Sequence, residues 1–488
     1  MNGKPQTRLQ AFAHRLIPGR FGRAVVTLAS GTLAAQLLVY ITRPILTRLY
    51  TPEAFGLFGF FLALVSIFSA MSSGRYEDAL MLPEEEEKGF SLLSLSLHLT
   101  ALTALFSSLL LPWKEEIAHL FNRPTVAAYM AWVPIGILLT GWARQLEVWL
   151  TRKRAFKWVS GAKLSRQVAT VPTQLGLGIY HPTADSLIVG ALSGYLIHLL
   201  VIFRQVKRLA RGLFVYAFRY RLMLSLAQRY QNFPRYTLLA SLLNTFSLQL
   251  PTLLLLYFFS TDTVGHYMLA YSTLTVPITL LGMAIAQVFF VDAAEAYRKG
   301  ELRNLTDQVI FRLFLLGTFP VLSFTIIGPD VFQFLFGKNW QVSGIFAALM
   351  APWILVLFVT SPMSFIVDIR ERQRAALIFT LFLLIARTGV LVLGGHSGSA
   401  LLAVGAYSAI SGGSLMGYLL YLAHLAEVPI RRVFYHLWIS TLTALPFLLI
   451  LLISHWVQGN PIITLSVWLF LLAGYAGVLV KRYALFKI

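Results

Sequence analysis

Apolar stretches near residues 24–47, 53–74, 89–111, 125–150, 163–181, 185–203, 237–259, 266–290, 309–329, 342–366, 375–394, 400–422, 438–456 and 462–480 follow one another with short polar breaks between them. Each runs about 18–25 residues, enough to cross ~30 Å of hydrocarbon as a helix. Hydrocarbon cannot satisfy free backbone polar groups, so the helix is the form such stretches take. The pattern predicts an all-α polytopic membrane protein with about 14 transmembrane helices.

The polar breaks carry the basic residues unevenly. Of the 40 Lys and Arg, 32 fall on the N-terminal segment, the even-numbered connections and the C-terminus. The odd-numbered connections hold Arg43, Arg48, Lys114, Arg123 and Lys338, and the spans hold Arg144, Arg312 and Arg387. By the positive-inside rule both termini are expected in the cytoplasm. The formal charge of +20 and pI near 10.2 then lie where anionic headgroups meet them, so membrane lipids are the expected partner and no nucleic acid is needed. The first apolar run begins too late and is too long for a cleavable signal. Residues 8–17 fit a short interfacial helix. With no cysteine, disulfides, thiolate nucleophiles and Cys-ligated metals are excluded.

Local matches recur at a slowly growing offset. Leu28-Ala29-Ser30 is answered by Leu239-Ala240-Ser241, Leu120-Phe121 by Leu335-Phe336, Pro134 by Pro352, and Arg152-Lys153-Arg154-Ala155 by Arg372-Gln373-Arg374-Ala375. Their order predicts two pseudo-symmetric six-helix lobes, an N-lobe at 24–203 and a C-lobe at 237–422. These are preceded by a cytoplasmic segment at 1–23 and joined by a basic linker at 204–236. Residues 423–488 add two helices and a short tail. Parallel repeats of this kind are a transporter architecture with its site between the halves and alternating access. Duplication retained for packing alone is the plainer alternative.

Polar groups inside the spans mark where a hydrated path runs, because ionisable side chains facing lipid are costly. Thr32, Gln36, Tyr40 and Arg43 share one face of the first span, and Thr237, Ser241, Asn244 and Pro251 one face of the seventh. Interhelical hydrogen bonding is the competing explanation for each stripe. Arg144 and Glu147 are spaced i, i+3 and suited to pair. Arg387 has no acid within two turns and lies about 10 Å from the outer end, where snorkelling would also accommodate it. Arg75, Glu77 and Asp78 close the second span at its inner mouth; with Glu147, the two acids are candidates for gating or ion pairing. His98 and His198 are expected to be packed or hydrogen-bonded. The embedded bias is cationic, and neither the first nor the seventh span holds an acid. Arginine grips phosphate in a bidentate fork, so diphosphates, carboxylates or acidic sugars are the expected ligands.

No P-loop, dinucleotide turn or HExxH motif occurs, and no stretch outside the spans is long enough for a catalytic domain. The expectation is a transporter rather than an enzyme, without cofactor or metal.

The stretch LASGTLAAQLLVYITRPILTRLYTPEAFGLFGFFLALVSIFSAMSSGRYEDALMLP (28–83) resembles the opening of Wzx-type lipid-linked oligosaccharide flippases of the multidrug/oligosaccharidyl-lipid/polysaccharide (MOP) exporter superfamily. NFPRYTLLASLLNTFSLQLPTLLLLYFFSTDTVGHYMLAYSTLTVPITLLGMAIAQVFF (232–290) and GPDVFQFLFGKNW (328–340) extend the resemblance over most of 24–422. It implies a central cavity between two lobes in a bacterial inner membrane. The implied substrate is an undecaprenyl-diphosphate-linked glycan flipped from the cytoplasmic to the periplasmic leaflet for cell-surface polysaccharide such as O-antigen. Positions resembling Arg43 and Arg75 carry cavity arginines in the related lipid II flippases, which implies diphosphate contacts here. A third arginine of that set has no counterpart; Gln36 or Tyr40 occupies its region. Many such proteins have twelve spans, so the last pair departs from the common pattern. Polysaccharide polymerase or assembly proteins are candidate partners, and a monomer suffices for the mechanism. The alternatives are a cation or drug antiporter of the MATE type, disfavoured by acid-free first and seventh spans, and a glycan polymerase or ligase, disfavoured by short outer loops.

Overall fold

The computed structural model describes residues 20–276, 278, 282–458 and 460–483, and among these every regular element is a helix. The interfacial helix expected at 8–17 lies outside the described residues. All fourteen expected spans coincide with largely helical chain over their described residues. Among the described residues, eleven helical segments are long and apolar enough to cross a membrane, which makes this a multi-pass membrane protein. The three expected spans outside that set are the first, fifth and eighth.

The first six are α1 (Arg20–Leu49), α2 (Pro52–Met71), α3 (Glu86–Leu109), α4 (Val133–Arg152), α5 (Phe156–Tyr180) and α6 (Ala184–Leu209). Helix α5 begins seven residues before the expected span, and its first turns carry Lys157, Lys163 and Arg166. That explains why it reads as less apolar than its neighbours. Thr51 caps α2 by accepting from the Ala54 amide at 3.2 Å, with Pro52 at the first helical position, the arrangement that satisfies orphan amide donors at a helix start.

The second six and the final pair follow. They are α7 (Leu238–Phe258), α8 (Thr261–Leu274), α9 (Met283–Lys299), α10 (Leu302–Leu322), α11 (Phe324–Phe336), α12 (Gln341–Met363), α13 (Gln373–His396), α14 (Ala400–Leu425), α15 (Ile430–Gln458) and α16 (Pro461–Tyr483). The eighth expected span corresponds to α8 and α9, and the ninth to α10, continued by the shorter apolar α11.

The chain divides into two compact units, Met1–Gln249 and Leu250–Ile488, with the division inside α7. The basic linker belongs to the first unit and is folded onto it. Ser94 donates to the Ala217 carbonyl at 2.6 Å and Tyr76 to the Ala227 carbonyl at 3.1 Å. Met223 and Leu226 of the short helix Tyr220–Arg229 are buried. In the second unit the last two helices are fastened to α10 and α11. Arg432 and His436 lie 2.7 and 2.8 Å from Asp307, and His455 lies 2.9 Å from Asp330. Tyr475 donates to the Leu315 carbonyl at 2.5 Å, and Trp468 to Ser323 at 2.9 Å.

A polar cavity in the first unit

Two glycines set how closely the cavity helices approach. A Cβ at Gly31 of α1 would lie 1.7 Å from the Ser160 hydroxyl of α5, and one at Gly194 of α6 would lie 1.9 Å from the Thr170 hydroxyl of α5. Small residues at such crossings replace the hydrophobic drive that lipid cannot supply. Buried polar bonds then fix the register. Tyr50 donates to the Gln174 carbonyl at 2.6 Å, Gln174 to the Leu187 carbonyl at 2.9 Å, and Gln145 to the Thr100 hydroxyl at 2.5 Å.

Helices α1, α2, α4, α5 and α6 and the first half of α7 line a cavity of about 690 Å³, within the range of small-molecule sites. The stripe expected on α1, Thr32, Gln36, Tyr40 and Arg43, lines it throughout. On α7 the wall is Ser241, Thr245 and Gln249, whereas Asn244 is exposed and is not part of the wall. Ser241 starts the face, but each residue turns the helix by about 100°, and the side chains that continue it are at i+4 and i+8.

The charged lining is Arg43, Arg144, Lys163 and Arg166 against Glu77 and Glu147. Arg43 lies over the Tyr40 ring at 5.4 Å and Arg166 over Tyr195 at 4.9 Å, both of them cation–π distances. Arg144 and Glu147 do not pair with each other as their spacing predicts. Glu147 takes Lys163 at 2.9 Å and has His198 Nε2 at 3.8 Å, while Arg144 reaches Glu77 at 3.6 Å. His198 Nδ1 lies 3.0 Å from the Ala162 carbonyl, and His98 Nδ1 lies 2.7 Å from the Ser94 carbonyl, in line with the packed role expected of both.

Glu77 is the hub at one end of the cavity. It is 2% exposed, accepts from the Ser73 hydroxyl, and lies 3.6 Å from Arg75 as well as from Arg144. Arg75 also reaches Asp78 at 2.9 Å. A left-handed backbone at Gly74 and Arg75 (φ 60° and 61°) turns the chain sharply out of α2 and into the short helix Tyr76–Met81. Such a conformation costs a non-glycine residue about 1–2 kcal/mol. Arg75 therefore sits behind Glu77 and touches the cavity lining through it.

Arg387 belongs to the second unit. It is 5% exposed and does not snorkel. It donates to Ser411 at 2.9 Å and lies over Trp353 and Tyr407 at 5.6 and 5.3 Å. Its aromatic surroundings and serine partner come from α12 and α14, helices whose contribution its own flanking sequence does not reveal.

Lys163, Arg166, Thr245 and Gln249 are among the cavity residues that sequence reasoning did not single out. The two cations counted toward the connection before α5, although they sit on its inner turns. Thr245 and Gln249 carried a usable signal, since with Ser241 they repeat every four residues.

The all-helical architecture among the described residues and the polar cavity within apolar, membrane-length helices define a polytopic membrane protein. Among solved structures, the lipid II flippase MurJ in an inward closed conformation matches with a TM-score of 0.73 at 12% identity, over 94% of this chain and 99% of that one. An inward-facing multidrug resistance MATE family transporter of the MOP superfamily matches with a TM-score of 0.59 at 14% identity, over 82% of this chain and 99% of that one. The Vibrio cholerae MATE transporter VcmN matches with a TM-score of 0.52 at 13% identity, covering 86% and 100%. No curated protein matches by sequence. The family model described as "Polysaccharide biosynthesis protein" matches residues 45–344, and the chain belongs to that family.

Proposed function

We propose that the protein is a flippase that carries undecaprenyl-diphosphate-linked oligosaccharide repeat units from the cytoplasmic to the periplasmic leaflet of the bacterial inner membrane. The observation that carries this reading is the cavity of the first unit, where four cations face two carboxylates across a wall of hydroxyl and amide groups. Family membership supports a role in polysaccharide biosynthesis, and the MurJ-like fold supports a lipid-linked substrate. The basic residues on alternate connections support termini in the cytoplasm.

In this mechanism Arg43 and Arg166 meet the diphosphate, with guanidinium donors matched to paired oxygens. Arg144 and Lys163 exchange their carboxylate partners for substrate. Gln36, Tyr40, Thr245 and Gln249 hydrogen-bond the sugars. The Arg75–Glu77–Asp78 cluster holds one mouth closed by ion pairing, and the cavity is exposed to each face of the membrane in turn. An inside-negative potential drives each negative charge outward by about 2.3 kcal/mol per 100 mV. A MATE-like cation antiporter needs a carboxylate open to its cargo. Here Glu77 is occupied by two arginines and a serine, and Glu147 by Lys163.

The test is deletion of the gene in its host, followed by measurement of which leaflet holds the lipid-linked glycan. Accumulation on the cytoplasmic face, relieved by wild type but not by Arg43→Ala or Arg166→Ala at equal expression, is the expected result. A normal leaflet distribution with loss of long-chain polymer would overturn the flippase reading in favour of a polymerase.

A further inference from the structure

A second cavity, of about 790 Å³, lies away from the polar one, at the C-terminal end of α6 where the chain enters the linker. Its cations are Arg204, Lys207, Arg208 and Arg211, and its aromatic walls include Trp158 of α5 and Phe214 of the linker. Arg204, Lys207 and Arg208 follow i, i+3 and i+4 on one face of α6, and Arg211 joins them from the turn just beyond Leu209. Gly212, with φ 89°, turns the chain beyond that face and returns Phe214 to it. No carboxylate lines the cavity, and among the described residues none of the four cations has an ion pair. Cations at a helix C-terminus are favoured by the helix dipole. That accounts for basic residues in the last turn, but not for four of them converging with aromatic rings on one open cavity. Trp158, Phe203 and Phe214 are 45%, 46% and 39% exposed; tryptophan is the amphipathic ring expected at headgroup depth, and the two phenylalanines offer apolar surface beside it.

We propose that this cavity binds the phosphate headgroup of an anionic glycerophospholipid of the bilayer. Arg208 and its neighbours hold the phosphate, and the proximal acyl chains lie against Trp158 and Phe214. Basic pockets between membrane helices bind anionic headgroups in this way. The volume exceeds what a lone phosphate fills, and the exposed rings have no role in holding a soluble anion. The inference is independent of the flippase substrate, since it concerns a different cavity and a lipid of the surrounding membrane.

The experiment places the full chain in nanodiscs containing brominated phosphatidylglycerol or brominated phosphatidylcholine. The Trp158 signal is the difference in quenching between wild type and Trp158→Phe. Preferential quenching by the anionic lipid is expected, falling about fivefold for each engaged cation replaced by glutamine, as about 1 kcal/mol per basic residue requires. Arg204→Gln/Lys207→Gln/Arg208→Gln/Arg211→Gln is expected to abolish the preference. Should that variant not fold, Lys207→Gln/Arg208→Gln reads the same loss. Equal quenching by both lipids, or a preference unchanged in a folded glutamine variant, would overturn the proposal. Inorganic phosphate is the competing arm. If it removes the preference at matched phosphate concentration, the site takes a soluble anion and the lipid assignment fails.

Discussion

Replacing Glu77 with alanine tests whether the ion cluster holds its end of the first unit together. The side chain is 3% exposed, and it loses three partners at once: the Ser73 hydroxyl, Arg75 at 3.6 Å and Arg144 at 3.6 Å. Breaking a buried pair by removing one partner costs about 3–5 kcal/mol when the other charge is stranded. Neither arginine is stranded here. Arg75 keeps Asp78 at 2.9 Å, and the Arg144 side chain is 50% exposed and regains water. The Arg144 pair is therefore worth at most about 1 kcal/mol. The hydrogen bond to the charged carboxylate adds about 1.5–3 kcal/mol. Glu77→Ala should cost about 3 kcal/mol in all. Glu77→Gln, which keeps an acceptor for Ser73, should cost about half that. Unfolding in mixed detergent–SDS micelles, followed by circular dichroism, measures both. A cost below about 1 kcal/mol for the alanine variant would refute the cluster as a structural clasp. So would strict additivity with Arg75→Ala, because residues of one network are expected to couple by 0.5–3 kcal/mol.

Lys163→Met leaves Glu147 with only His198 at 3.8 Å; glycan export should fall with about 1 kcal/mol or less of lost stability, read by the leaflet assay beside a melt. Gly194→Val places carbon 1.9 Å from the Thr170 hydroxyl and 2.7 Å from the Arg166 carbonyl, so it should destabilise by about 1–3 kcal/mol or more, read as loss of folded protein in detergent. Arg387→Met keeps the apolar stem under Trp353 and should change stability by less than about 1 kcal/mol, because buried charges are often replaced by apolar groups without loss. Arg387→Ala opens a void and should cost about 2–4 kcal/mol in the same melt. Asn244→Ala should leave export unchanged, and Thr245→Phe should block it, since only Thr245 lines the cavity; equal effects of the two would contradict the assigned face.

The helices were legible because each span is an unbroken apolar run, and hydrocarbon allows few other backbone forms. Their ends were less so. Helix α5 starts at Phe156, inside what reads as a basic connection, because a charge on the cavity side of a helix end and a charge in a loop look alike in a one-dimensional count. The α1 stripe is simpler, since its four polar residues fall on one face and all line the cavity. On α7 several polar residues compete, and choosing Asn244 over Thr245 moved the face by one position. Pairing was the least legible feature. Glu147 sits beside Arg144 in sequence but meets Lys163 from the next helix, and Arg144 meets a glutamate some seventy residues earlier. Local spacing identifies available partners; the crossing of helices, set by contacts such as Gly31 on Ser160, decides which one is reached.

Helix α15 is fastened near both its ends, with His436 on Asp307 and His455 on Asp330. Those aspartates sit on α10 and α11, within the twelve-span portion of the chain, and their side chains are only 14% and 16% exposed. A chain shortened after α14 would therefore not be a smaller working version of this one. It would strip Asp307 of Arg432 and His436 and Asp330 of His455, and leave the Leu315 carbonyl without the Tyr475 hydroxyl. The added pair has become structurally non-detachable, so a hybrid with a twelve-span relative must exchange Asp307 and Asp330 along with the helices that cover them.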